Sequence, residues 1–221
     1  EGKADGVHFA YEYVAPKNPD LAPYYKMAHD TDMLRHIPEV QAIDGMLMLP
    51  RPINYVTAEC GEVNAFYSPE RNEVVMCYET MKVLEQRGRD LAAQNKLDDT
   101  YAQKYLDANF RFILLHETGH ALITLLEIPI TGREEDAVDQ LATTLMLRFA
   151  GLNESTATVT ENLRMASNWF LARSTGEYNL DAYAWYCLVA PTGTPAATVD
   201  KLNKTVNEIV DSKEFAAKAT Q

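Results

Sequence analysis

The 221-residue sequence has only three cysteines. They stand at positions 60, 77 and 187 with no Cys-x-x-Cys pair, so a cysteine-built zinc site or a thioredoxin-like redox motif is not expected. One disulfide plus one free thiol remains open. Long apolar runs are also missing: stretches such as Phe112 to Leu115 and Ala121 to Leu126 fall far short of the roughly 20 residues needed to cross a bilayer, and no membrane span is expected. Basic charge is scarce, with 20 lysines and arginines against 32 acidic residues. The resulting net charge of −12 repels phosphate backbones and argues against nucleic acid as the main partner. The polar start, Glu1 to Gly6, has no basic segment leading into an apolar one, so an export signal is expected to be absent or already removed. No internal repeat or low-complexity stretch occurs.

What is present is enough apolar material, 47% of residues, to build a packed core. Val7, Phe9, Tyr11 and Tyr13 alternate as on a half-buried strand before Pro16 and Pro19 break the pattern. Leu21 to about Val40 is mixed with some helical character, and Gly45 to Leu49 is a short apolar run closed by Pro50-Arg51-Pro52. Val63 to Tyr67 and Glu73 to Cys77 flank the turn-rich Ser68-Pro69-Glu70-Arg71-Asn72, which predicts a β-hairpin. Helices are predicted from about Thr80 to Asn95, from about Thr100 to Leu126 with Pro129 as the stop, and from about Ser155 to Arg173. Between the last two, Thr131 and Glu134 have capping-box spacing for a helix running to Ala150, with Gly151 behind it. Ala190 to Pro195 reads as a linker before a terminal helix from about Ala196 to Lys218.

The helix from Thr100 carries His116-Glu117-Thr118-Gly119-His120. Histidines four apart project from one helix face and can reach one metal ion. Glu117 is rotated by about 100° from His116, beside the metal rather than on it, where it can take a proton from bound water. Chance would place this five-residue pattern in roughly one such chain per hundred, so it carries weight by itself. Ile113, Leu114, Leu115, Ala121, Leu122 and Leu125 imply a largely buried helix, in which two histidines and a glutamate need partners or a metal. A catalytic zinc takes three protein ligands and leaves one position open, so a third must come from elsewhere. Glu134, Glu135, Asp136 and Asp139 lie in the first turns of the next helix. Acidic residues there commonly just complement the helix dipole, and Glu134 and Asp136 are read that way, Glu134 within the capping box. Glu135 and Asp139 share a face, which suits Glu135 to binding metal and Asp139 to accepting a hydrogen bond from the far nitrogen of a ligand histidine.

The His-Glu-x-x-His motif followed by Glu-x-x-x-Asp resembles the gluzincin metallopeptidases, and the resemblance implies Glu135 as the third ligand and Asp139 as the orienting carboxylate. Upstream, Asn64-Ala65-Phe66-Tyr67-Ser68-Pro69 looks like the Asn-Ala-x-Tyr-x-Pro strand of the neprilysin family, which binds peptide backbone. That implies roles for the Asn64 side chain and the Ala65 carbonyl in fixing substrate register. From about Val7 to Ala150 the chain is most similar to a family of uncharacterised bacterial metallopeptidases with Glu-Cys-Gly, Asn-Ala-Phe-Tyr, Cys-Tyr-Glu and Gly-Arg-Glu-Glu-Asp segments, here at Glu59, Asn64, Cys77 and Gly132. Members of that family look exported, and in an oxidising compartment Cys60 and Cys77, flanking the hairpin, could pair. The alternative is two small buried thiols. Where such enzymes carry an Asp/Glu-x-His followed by Arg for the oxyanion, this chain has Glu177-Tyr178 and then Ala184, leaving the hydroxyls of Tyr178 or Tyr183 as substitutes. From Ala184 onward, Trp185 to Pro195 and Val199 to Asn203 look like the C-terminal part of periplasmic tricarboxylate-type solute receptors. A tail of about 37 residues is too short to form such a two-lobed receptor, and Cys187 is expected to be a free thiol.

The resulting expectation is an α+β, zincin-like fold with an N-terminal antiparallel sheet packed on the active-site helix. Residues 1–184 would form the metallopeptidase domain and residues 185–221 an appended linker and helix. The expected function is Zn2+-dependent hydrolysis of peptides outside the cytoplasm, secreted or periplasmic, with a zinc-binding but weakly active or inactive peptide-binding protein as the alternative. A third reading, a solute-binding or structural protein with a vestigial motif, rests on the tail alone.

Overall fold

A computed structural model describes residues 8–174 apart from 45, 99 and 151–153. The expected linker, the terminal helix, Tyr178, Tyr183 and Cys187 lie outside the described residues.

The strands are β1 (Ala10–Tyr13), β2 (Asn54–Ala58), β3 (Ala65–Ser68) and β4 (Glu73–Cys77). They form one four-stranded sheet in the order β1-β2-β4-β3. The sheet is mixed rather than antiparallel. β1 with β2 and β2 with β4 run parallel, and only the β3–β4 hairpin is antiparallel. The parallel pairings arise because helical segments intervene between β1 and β2 and the chain crosses over between β2 and β4, leaving the short turn at 68–72 as the one direct reversal. The fold class is α+β as expected. β2 was not foreseen as a strand: Tyr55, Val56 and Thr57 are all buried, so the segment lacks the alternation that marks a strand with one wet face.

Six α-helices complete the described chain: α1 (Ala22–Asp30), α2 (Pro38–Ile43), α3 (Tyr78–Asn95), α4 (Tyr101–Leu125), α5 (Glu134–Ala150) and α6 (Thr156–Ser174). The mixed segment Leu21 to Val40 thus resolves into two short helices and a turn. Among the described residues α4 is the central element. Buried residues occupy every side of it, from Tyr105 and Leu106 through Phe110 and Leu114 to Ala121 and Leu125, because the sheet, α3, α5 and α6 all pack against it. It ends where Glu127 takes a positive φ of 51° and the Ile128 N–H turns back to the Ile123 carbonyl, one residue before Pro129.

Two polar contacts fix α4 within this packing. The buried Tyr55 hydroxyl on β2 lies 3.1 Å from Thr118 Oγ1, which locks the rotation of the helix against the sheet. Near its middle, the Arg111 guanidinium is shared between Glu39 of α2, which is fully buried, and Glu154 just ahead of α6. Cys60 and Cys77 are joined by a disulfide across 17 residues, tying the approach to β3 to the end of β4. Glu79 reinforces that tie by accepting from the Cys60 and Gly61 N–H groups.

Candidate metal centre

α4 presents His116 and His120 one turn apart, and α5 lies antiparallel over them. The close approach depends on Gly119. A Cβ built there would sit 2.8 Å from Val138 Cβ and Cγ1 and 3.2 Å from Val138 Cα, so any larger residue holds α5 away. With glycine in place, the first turns of α5 reach both imidazoles.

The His116 and His120 Nε2 atoms are 3.3 Å apart. Glu135 brings one carboxylate oxygen to 3.1 Å from His116 Nε2 and the other to 3.5 Å from His120 Nε2. A tetrahedral ion with bonds of about 2.0–2.1 Å sets neighbouring donors about 3.3 Å apart, and all three separations are near that spacing, with each imidazole facing a different oxygen of the one carboxylate. The far nitrogens are occupied: His116 Nδ1 lies 2.7 Å from Asp139 Oδ1 and His120 Nδ1 lies 2.7 Å from Glu134 Oε1. An ionised carboxylate only accepts, so each Nδ1 donates and each Nε2 is turned toward the shared point. The residues present fit a divalent transition metal with nitrogen and oxygen ligands.

Electrostatics follow from crowded anions around half-buried rings. Burial alone would depress the proton affinity of His116, but the Asp139 and Glu135 carboxylates outweigh it and push the pKa up to about 10 in the metal-free chain. Glu135 is held below the ordinary carboxylate range, first by its hydrogen bond from His116. Glu117 goes the other way. Burial raises its pKa against the pull of the two histidines and of a hydrogen bond from the Tyr67 backbone N–H, and its nearer oxygen stands 4.0 Å from His116 Nε2. The carboxylate is therefore beside the donor set and outside it.

β3 is an edge of the sheet. The Asn64 carbonyl accepts from Cys77 N–H of β4, so antiparallel alternation turns the peptide groups of Ala65 and Tyr67 away from β4, toward the open edge. The Tyr67 N–H lies on that side and favours the ionised Glu117 carboxylate, and β3 packs against α4 beside the donor cluster. The Asn64 side chain is folded back on its own segment, donating to Glu62 at 3.0 Å and accepting from the Ala65 N–H at 2.9 Å. Of the residues singled out from sequence, His116, Glu117, His120, Glu135 and Asp139 come together, with Ala65 on the adjoining edge.

Glu134 is the residue that sequence reasoning misplaced. α5 begins at Glu134, and the Arg133 carbonyl accepts from the Ala137 N–H, which makes Arg133 the N-cap rather than Thr131. The capping box is absent, and the Glu134 side chain is free to turn onto His120. The adjacency of Glu134 to Glu135 was the available signal, masked by the Thr131 spacing.

No curated protein and no solved structure matches the chain. Residues 13–186 match the family described as "Putative metallopeptidase", and with most of its length covered the chain belongs to that metallopeptidase family.

Proposed function

We infer that the chain is a zinc-dependent, gluzincin-like endopeptidase in which His116, His120 and Glu135 hold the metal and Glu117 is the general base. One observation carries the reading: the two Nε2 atoms lie 3.3 Å apart, each within 3.5 Å of the Glu135 carboxylate, while carboxylates hold both Nδ1 atoms. Two imidazoles and one carboxylate form the donor set of catalytic zinc, which keeps a fourth position open, rather than of a closed structural site.

When bound, the zinc would act as a Lewis acid on the scissile carbonyl and make a neighbouring water acidic. The remaining work falls to this chain's side chains. Glu117, buried and with raised proton affinity, is suited to take a proton from the attacking water and deliver it to the departing amine nitrogen. Asp139 keeps His116 in the Nδ1–H tautomer. An extended peptide can add to the open edge of β3 and donate to the Ala65 carbonyl, with Asn64 exchanging its contact with Glu62 for one with the substrate. Tyr178, or Tyr183 in its place, is the proposed donor to the oxyanion. The Cys60–Cys77 disulfide supports an oxidising compartment and hence a secreted or periplasmic protein. The peptidase domain is proposed to be residues 1–184 with 185–221 appended, supported by a family match that stops at residue 186.

Incubation of a mixed peptide library with wild type and Glu117→Gln tests the chemistry. The expected result is cleavage by the wild type and a loss of at least about 100-fold in Glu117→Gln, with zinc retained in both. Undiminished cleavage by the variant would remove Glu117 as base. Zinc binding without cleavage by either protein would favour the peptide-binding alternative.

A further inference from the structure

We propose that Glu134 is a positioning residue for the metal site: its carboxylate holds the His120 ring by Nδ1, as Asp139 holds the His116 ring, so that the two consecutive glutamates at the start of α5 grip opposite nitrogens of one imidazole. This rests on the metal-site reading above and assigns a role to a residue outside the His-Glu-x-x-His and Glu-x-x-x-Asp pattern. The geometry is specific. Glu134 Oε1 lies 2.7 Å from His120 Nδ1, the same distance that separates Asp139 from His116. Glu135 Oε1 lies 3.5 Å from the other nitrogen of the same ring. Successive helical residues diverge by about 100°, which is what allows Glu134 and Glu135 to approach one ring from two directions.

An ordinary cap does not account for the contact. Glu134 is the first residue of α5 and Arg133 is the N-cap, so Glu134 occupies neither the N-cap nor the third helical position of a capping box. Its charge still complements the helix dipole, but that effect does not depend on where the carboxylate points. Without an acceptor at Nδ1 the His120 ring can exchange tautomers and place a proton on Nε2, the nitrogen needed for the metal. Glu134 is more exposed than Asp139, 46% against 20%, and its hold is correspondingly weaker.

The test is zinc affinity, measured by competition with a chelator, for wild type, Glu134→Ala, Glu134→Gln and Asp139→Asn, beside the melting temperature of each metal-free protein. Glu134→Ala is expected to weaken zinc binding about 10-fold, the low end for loss of an outer carboxylate, and Asp139→Asn by more. Glu134→Gln keeps an oxygen acceptor for Nδ1 without the charge and should recover part of the loss. The metal-free melting temperatures of the Glu134 variants should stay within a degree or two of that of the wild type. Wild-type affinity in Glu134→Ala would overturn the proposal, as would equal losses in the alanine and glutamine variants accompanied by equal drops in metal-free melting temperature, the signature of a dipole effect. A wild type that binds no zinc overturns the metal site itself, and this role with it.

Discussion

Burial and charge pull on His116 in opposite directions, and charge wins. With its folded pKa pushed up to about 10 against about 6.5 in an unfolded chain, the imidazolium stabilises the metal-free fold. That contribution is fully present below about pH 6.5 and is lost as pH rises through about 10. A metal must displace the same proton, so zinc affinity should climb with pH by up to about tenfold per unit between those values. Chelator competition at several pH values checks this, and an affinity flat across neutral pH contradicts it. At this scale much of the site was legible. The spacing of His116, His120, Glu135 and Asp139 is local and periodic, so two helix segments contain it whole. Glu134 was not legible, because its role depends on which residue starts α5, and a two-residue shift of the N-cap moves a side chain from a backbone contact to an imidazole.

At the scale of elements, two glycines set how closely neighbours approach α4. In an open helix, glycine to alanine stabilises by about 1 kcal/mol. At Gly119 the added carbon meets Val138 at 2.8 Å, and at Gly88 of α3 it meets the Ala102 backbone of α4 at the same distance. Both substitutions should therefore destabilise, by about 1–3 kcal/mol. They should differ in consequence: Gly119→Ala displaces the helix that carries Glu135 and Asp139 and should weaken zinc binding, whereas Gly88→Ala should leave zinc affinity unchanged. Denaturant melts paired with zinc titration separate the two. A stabilised Gly119→Ala would mean that α5 does not lie where Val138 places it. The helices and the hairpin were readable because their signals, period 3.6 and a polar five-residue turn, are written in consecutive residues. The parallel pairings of β2 with β1 and β4 were not. Strand direction is decided by partners distant in sequence, and β2, covered on both faces, carries no alternation to announce it.

For the molecule as a whole, the question is what keeps α4 registered against everything else. Arg111 ties α2 and the start of α6 to it, and removing the cation leaves Glu39 buried without a partner. Arg111→Ala should cost about 3–5 kcal/mol, read by urea unfolding; a loss under about 1 kcal/mol would mean the cluster is replaceable by water. The disulfide closes a loop of 17 residues around β3, a constraint on the unfolded chain worth about 3 kcal/mol, and so steadies the edge on which a peptide is proposed to lie. Between α4 and α5, the His116, His120 and Glu135 donors converge on one small volume. Zinc content measured by elemental analysis after dialysis against excess zinc, for wild type and His116→Ala, tests that convergence most directly. About one zinc per wild-type chain and nearly none in His116→Ala is the predicted result; a wild type that retains no zinc, or a variant that retains as much, would contradict it.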